Sequence, residues 1–213
     1  MRRVGVVRPD PRRDLLSRHL DLASLPNEPH RRARPKLLIG VTDIIHGLGV
    51  AFEGESLTYD ELIASAAVPP LFRAVQAHGT LFWDGLFSRN PPVREFTELP
   101  ERPDEIWVVQ INPQQGKREP RAMREIIDRW NELSGNLAPS QELYFITKIN
   151  ELLAEHPALG ARYKPINIRV VELEDDLNYP SKLDRSSPVI ERLLRNGQER
   201  AAWFFDDRSL WPR

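Results

Sequence analysis

The chain reads as an α/β protein whose strands and helices are layered around a central mixed, mostly parallel sheet. Three observations carry that expectation. Two apolar runs, KLLIGVT at 36–42 and IWVVQI at 106–111, are short and continuous, as strands buried on both faces are. Apolar residues at helical spacing follow them, most clearly Met123, Ile126, Ile127, Trp130 and Leu133. Strands and helices interleave with no internal repeat and no long linker, which is the order of a layered domain.

The elements follow in turn. Prolines 9, 11, 26, 29 and 35 break the first 35 residues, leaving room for a short helix over 12–23, where Leu15, Leu16, His19, Leu20 and Ala23 recur at helical spacing, and then a loop over 27–34. The apolar run at 36–42 predicts the first buried strand. Gly47 and Gly49 predict a turn before a second strand at 50–52. Thr58 as N-cap, with Glu61 three residues on, predicts a capping box opening a helix over 60–67, which Pro69-Pro70 ends. His78-Gly79 between 74–77 and 80–83 predicts a hairpin with a two-residue turn that accepts positive φ. The run at 106–111 predicts the next buried strand, closed by Asn112-Pro113. A helix carrying Met123 and Trp130 as core residues is expected to end near Gly135, with a second helix over 140–155. Alternation of Ile166, Ile168 and Val170 predicts a strand over 166–173. Two short helices, 188–195 and 198–205, close the domain.

Length and composition narrow the function. At 213 residues, 40% of them apolar and 29% charged, the chain is long enough for one substantial core. The net charge of −1 does not mark the chain as a whole for nucleic acid or for an anionic membrane. Nine arginines against four acids in residues 1–34 make a locally basic arm, but without interleaved aromatics or a known binding module, so no nucleic-acid partner is expected. The absence of cysteine excludes disulfides, a thiol nucleophile and thiolate-bound zinc, and it fits a reducing compartment such as the cytoplasm. No apolar run approaches the roughly 20 residues that cross a bilayer. Three organisational segments result: an Arg- and Pro-rich leading segment at 1–35, an α/β domain at 36–206, and a tail at 207–213.

The most informative stretch is ASAAVPPLFRAVQAHGTLFWDGLFSRNPP at 64–92, with Trp83-Asp84-Gly85 at its centre and Asn90-Pro91 after it. Together with RRDLLSRHLDLASL at 12–25, LLIGVTDIIHGLGVAF at 37–52, VVQINP at 108–113 and REIIDRWNELSGN from Arg124, it resembles the patatin-like phospholipase family. The resemblance spans roughly residues 8–205 and is densest between 36 and 113. It implies a three-layer α/β/α domain, incomplete on its N-terminal side.

The resemblance further implies a serine lipid acyl hydrolase working through a Ser–Asp dyad, with Asp84 as the aspartate, a lipid or acyl-ester substrate, and activity in the cytoplasm or peripherally at a membrane. Trp83, Gly85 and Asn90 would shape the site, and Phe82 would wall it or pack beneath. The reaction is acyl transfer to serine followed by hydrolysis, with backbone N–H groups holding the oxyanion, and it needs no metal or cofactor. A free aspartate, with a pKa near 3.9, is a poor base; a partly desolvated position beside a hydroxyl makes it useful. Gly85 would allow the backbone to turn sharply behind the carboxylate. The family has a small residue after this Asp-Gly; Leu86 stands there instead.

No G-x-S-x-G occurs anywhere in the chain. In the family that elbow and the glycine-rich oxyanion loop precede the segment matching 12–25, so this chain is expected to be inactive alone, to lack an inner strand and to aggregate. Ser65, mid-helix and without glycine flanks, is no substitute. The alternative is a catalytically dead lipid- or partner-binding protein of the same descent. The remaining signals are bland: His19, His30, His46, His78 and His156 show no ligand spacing and suit surface or turn roles. Glu174-Asp175-Asp176 suits a solvated turn, and Gly47-Leu48-Gly49 is too short to cradle a phosphate.

Overall fold

The structure, a computed structural model, describes residues 10–22, 36–54, 57–69, 71–112, 114–116, 118–173, 177 and 184–206. The loop at 27–34, the acidic turn at 174–176 and the tail at 207–213 lie outside the described residues. The protein is mixed α/β and divides into two compact units, Met1–Glu95 and Phe96–Arg213.

In the first unit α1 (Pro11–His19) is opened by Asp10, whose side chain accepts from the Arg12 N–H at 2.9 Å, and it stops four residues short of the span expected. Strands β1 (Leu38–Asp43), β2 (Leu48–Glu53), β3 (Val75–Ala77) and β4 (Thr80–Asp84) form one sheet in the order β2-β1-β4-β3. Every pairing in it is antiparallel. The mostly parallel arrangement expected from the apolar runs is not found in this sheet, for a local reason. Residues 44–47 and the pair His78-Gly79 are turns too short to return a chain in parallel. His78 (φ 47°) and Gly79 (φ 79°) both adopt the left-handed region, as a two-residue hairpin turn of this type demands.

The β1 run is likewise not buried on both faces: only Val41 and Asp43 are fully buried. Val41 packs with Phe52, Leu57, Ala64 and Phe82 to form the core. Helix α2 (Tyr59–Ala64) is fixed by the expected capping box, in which Thr58 Oγ1 accepts from the Glu61 N–H while the Glu61 carboxylate accepts from the Thr58 N–H. The helix ends at Ala64, ahead of the prolines, with Ser65 as its C-cap rather than mid-helix.

A short helix, α3 (Val93–Thr97), spans the division between the units. In the second unit β5 (Glu105–Gln110) pairs in parallel with β6 (Asn167–Glu172). The expected burial of β5 on both faces does not hold, because Trp107 and Val109 are exposed and Ile111 lies beyond the strand end. Helix α4 (Met123–Glu155) is one helix of 33 residues instead of two, running through Gly135 and Pro139. Proline removes one hydrogen bond, and a helix interior pays about 3 kcal/mol for it. Sixteen helical residues on each side of Pro139 outweigh that single defect. Met123 and Trp130 are not core residues; both lie on its exposed face. Helix α5 (Ser187–Asp206) is also one element where two were expected, continuous through Gly197, and buries Phe204 against Trp107. No helix among the described residues is long and apolar enough to cross a membrane.

Candidate functional site

Asp84 is the last residue of β4 and the N-cap of a 3-10 turn at Gly85–Phe87. Its position is fixed from three sides. Its N–H donates to the Ala67 carbonyl at 3.2 Å, and its carbonyl accepts from Thr42 Oγ1 at 3.0 Å. Its Oδ1 accepts from the Leu86 N–H at 2.9 Å. The carboxylate is half-buried, and its Oδ2 has no hydrogen-bond partner among the described residues. Burial pushes the Asp84 carboxyl above its ordinary range, against the opposing pull of the Leu86 N–H. One oxygen is therefore anchored, and the other is left for a donor.

Strand alternation separates the neighbours. Phe82 shares the face of Asp84 and packs into the core beneath it with Val41 and Phe52. Trp83 falls on the opposite face beside Thr42, and its buried indole N–H has no partner among the described residues. Leu86 is buried; Asp84 uses only its backbone. Asn90 precedes a cis bond to Pro91.

Gly85 serves a purpose that spacing alone does not reveal. It has no left-handed backbone; instead a Cβ there would meet the Gly40 carbonyl oxygen at 2.7 Å. At Gly40 a Cβ would fall 1.8 Å from the Arg89 carbonyl oxygen. Two side-chain-free positions let the turn after β4 lie directly on β1, and Ser88 Oγ then reaches Thr42 Oγ1 at 2.7 Å. That contact holds the base of Asp84 rigidly, as a positioned proton acceptor requires.

No serine or other nucleophile hydrogen-bonds the Asp84 carboxylate among the described residues. Ser65 donates to the Leu62 carbonyl at 2.9 Å, a local helix-end bond. What Asp84 can do chemically is accept a proton from a hydroxyl brought to Oδ2.

A second polar cluster escaped the sequence reading. Asp43, buried at the end of β1, accepts from the Ile45 and His46 N–H groups at 2.9 and 3.0 Å. It also accepts from Thr80 Oγ1 at 3.0 Å and lies 2.7 Å from His46 Nδ1. Burial works to raise this carboxyl, but those hydrogen bonds prevail and hold it down at about 2. In the separate turn between β3 and β4, His78 Nε2 lies 2.7 Å from the buried Glu61 carboxylate. Both histidines thus keep the turn roles expected of them, each tied to a carboxylate. The only available signal was that Asp43 directly precedes a turn. No group of three or more acidic or histidine side chains suited to a metal ion occurs among the described residues.

The chain matches no protein-family model and no curated protein.

Proposed function

We propose that this chain carries the general-base half of a patatin-like serine lipid acyl hydrolase, with Asp84 as the base and the serine supplied by another stretch of polypeptide. The observation that carries the reading is the Asp84 carboxylate, held at a strand end with one oxygen anchored to the Leu86 N–H and its proton affinity raised by burial. Such a group takes a proton from serine as the hydroxyl attacks an acyl carbonyl, and returns it to the leaving alcohol. The two-stranded parallel pair β5–β6, with Trp107 and Val109 exposed, supports a larger three-layer domain, since parallel strands are stable when both faces are covered. The substrate is a lipid or acyl ester met in the cytoplasm or at a membrane surface, and the scheme calls for no cofactor.

The test begins with the coding DNA upstream of Met1, which should encode in frame a glycine-rich loop and a G-x-S-x-G. Protein made with that segment should hydrolyse p-nitrophenyl esters, and Asp84→Asn should lower kcat by roughly 10²–10⁴-fold. Unchanged hydrolysis in Asp84→Asn would refute the assignment.

A second reading, a catalytically dead lipid-binding protein of the same descent, has one observation of its own: an open apolar patch along one side of α5 formed by Ile190, Leu193, Leu194 and Ala201, with Gly197 and Gln198 beside them. A stop codon just upstream of Met1, with binding to phosphatidylcholine vesicles lost in Leu194→Glu, would favour it.

A further inference from the structure

The last turn of α2 and the bend after it leave carbonyls that the helix itself cannot use, and these must find donors elsewhere. Several donors are local. Ser65 Oγ donates to the Leu62 carbonyl, the Ala66 N–H to Ile63, the Ala67 N–H to Ala64, and the Leu71 and Phe72 N–H groups to Val68. Two consecutive carbonyls, those of Ala66 and Ala67, are reached from distant parts of the chain. Arg12 Nη1 donates to the Ala66 carbonyl at 3.3 Å and also reaches the Ile63 carbonyl at 3.5 Å. The Asp84 N–H donates to the Ala67 carbonyl at 3.2 Å. Arg12 and Asp84 thus hang on adjacent peptide groups on either side of Ala67, which is fully buried.

The Arg12 guanidinium is engaged on all its surfaces. Its Nε donates to the two Asp10 oxygens at 3.1 and 3.2 Å, and its Nη2 donates to Asp10 Oδ2 at 2.7 Å. Its central carbon lies 4.2 Å from the centroid of the Phe72 ring. The group cannot swing without giving up the carboxylate, the carbonyls and the ring together. It therefore grips the 64–72 segment at two points, Ala66 and Phe72, with Ala67 between them. The rest of α1 adds little to this grip. The helix has no fully buried residue, and its other ties to α2 lie at the far end of that helix. These are the Arg13–Asp60 pair at 2.6 Å, half-exposed on both sides, and the bond from the Tyr59 hydroxyl to the Leu20 carbonyl.

We infer that Arg12 is a positioning residue for Asp84: it clamps the 64–72 segment, and Ala67 passes that constraint to the Asp84 backbone. The inference rests on the reading of Asp84 as a proton acceptor, for which a fixed position matters. No ion pair joins Arg12 to Asp84 among the described residues, so the effect is carried by geometry and not by charge. Lysine, a point charge on a flexible stem, is no equivalent there.

The Asp84 N–H reports the link directly, because its hydrogen bond is to Ala67. Hydrogen exchange and an NMR titration of the Asp84 carboxyl carbon, both on the whole chain, make the test. In Arg12→Ala the Asp84 amide should exchange about tenfold faster than in the native protein, over and above any change at the buried Val41 of β1. The Asp84 carboxyl, held above its ordinary range by burial, should move down towards 3.8 as the loosened segment admits water. Arg12→Lys, which loses the fork and the stacking plane but keeps the charge, should show both changes in smaller measure. It carries the same test should the alanine variant not fold. Arg13→Ala, which removes the pair with Asp60, should show neither change.

Equal acceleration at Asp84 and Val41 would make Arg12 a general stabiliser and overturn the proposal. So would an unmoved Asp84 carboxyl in the Arg12 variants, or the same changes in Arg13→Ala, which would assign them to the docking of α1 as a whole. None of these readouts needs hydrolysis. Failure of the clamp is therefore distinct from failure of the hydrolase reading, which stands or falls on Asp84→Asn.

Discussion

Gly85 lies directly against Gly40. A methyl group on Gly85 would meet the Gly40 carbonyl oxygen at 2.7 Å and its carbon at 2.8 Å. Neither atom is the end of a flexible side chain, so neither can move without moving β1. The aspartate that precedes Gly85 inherits its position from this backbone-to-backbone contact.

Gly85→Ala should therefore destabilise the protein by about 1–3 kcal/mol, the usual cost of forcing a methyl into a filled space. Gly40→Ala should cost at least as much, because its neighbour, the Arg89 carbonyl oxygen, would be only 1.8 Å away. Urea unfolding at neutral pH measures both. Gly79→Ala serves as a contrast: space around it is open, and only its left-handed backbone (φ 79°) opposes the change.

Asp84→Asn should stabilise the fold at neutral pH. Burial raises the folded-state pKa of Asp84 above its unfolded value, so the ionised form is penalised on folding, and stability falls as pH rises through that interval. Asparagine keeps an oxygen for the Leu86 N–H and carries no charge to desolvate. A gain of about 1–3 °C in Tm at pH 7, shrinking as pH falls through the raised folded-state value and absent below the ordinary 3.8, is expected by scanning calorimetry. A loss of stability at pH 7 would contradict it.

Asp43 has the opposite sign. Its folded-state pKa of about 2 lies below the ordinary 3.8, so its contribution is fully present above about pH 4 and disappears as pH falls towards 2. The stability difference between the native protein and Asp43→Asn should be constant from pH 5 to 7 and narrow progressively from pH 4 to pH 2. Denaturant melts across that range read it directly.

Thr58→Ala removes the acceptor for the Glu61 N–H and a donor to the Glu61 carboxylate. The expected loss is about 1 kcal/mol, typical for a lost N-cap. Thr58→Ser should recover most of it, since serine caps equally well, and thermal melts of the three proteins decide the matter.

Local chemistry was legible where it is self-contained. The Thr58–Glu61 box and the His78-Gly79 turn need nothing beyond three or four consecutive residues, and both are found as read. The β-strands were placed within a residue or two for the same reason. Helix ends were less legible: Gly135, Pro139 and Gly197 look like stops, yet α4 and α5 run through them because many flanking helical residues outweigh one poor one. Strand burial was misread at β1 and β5, since a run of apolar residues records what a strand can bury and not what covers it. For the site, Asp84 at the tip of its strand was legible. Trp83 on the far face and Gly85 against Gly40 were not.

By itself the sequence determined the caps, the hairpin turn, the α/β alternation and the placing of a carboxylate at a strand end, since each depends on propensity and short-range hydrogen bonding. Tertiary structure alone decided that β1 pairs with β4 in the four-stranded sheet, that Gly40 and Gly85 touch across 45 residues, and that α4 turns an apolar face outward. Those outcomes depend on which distant surfaces compete for the same partner, and that competition is settled only when the chain is folded.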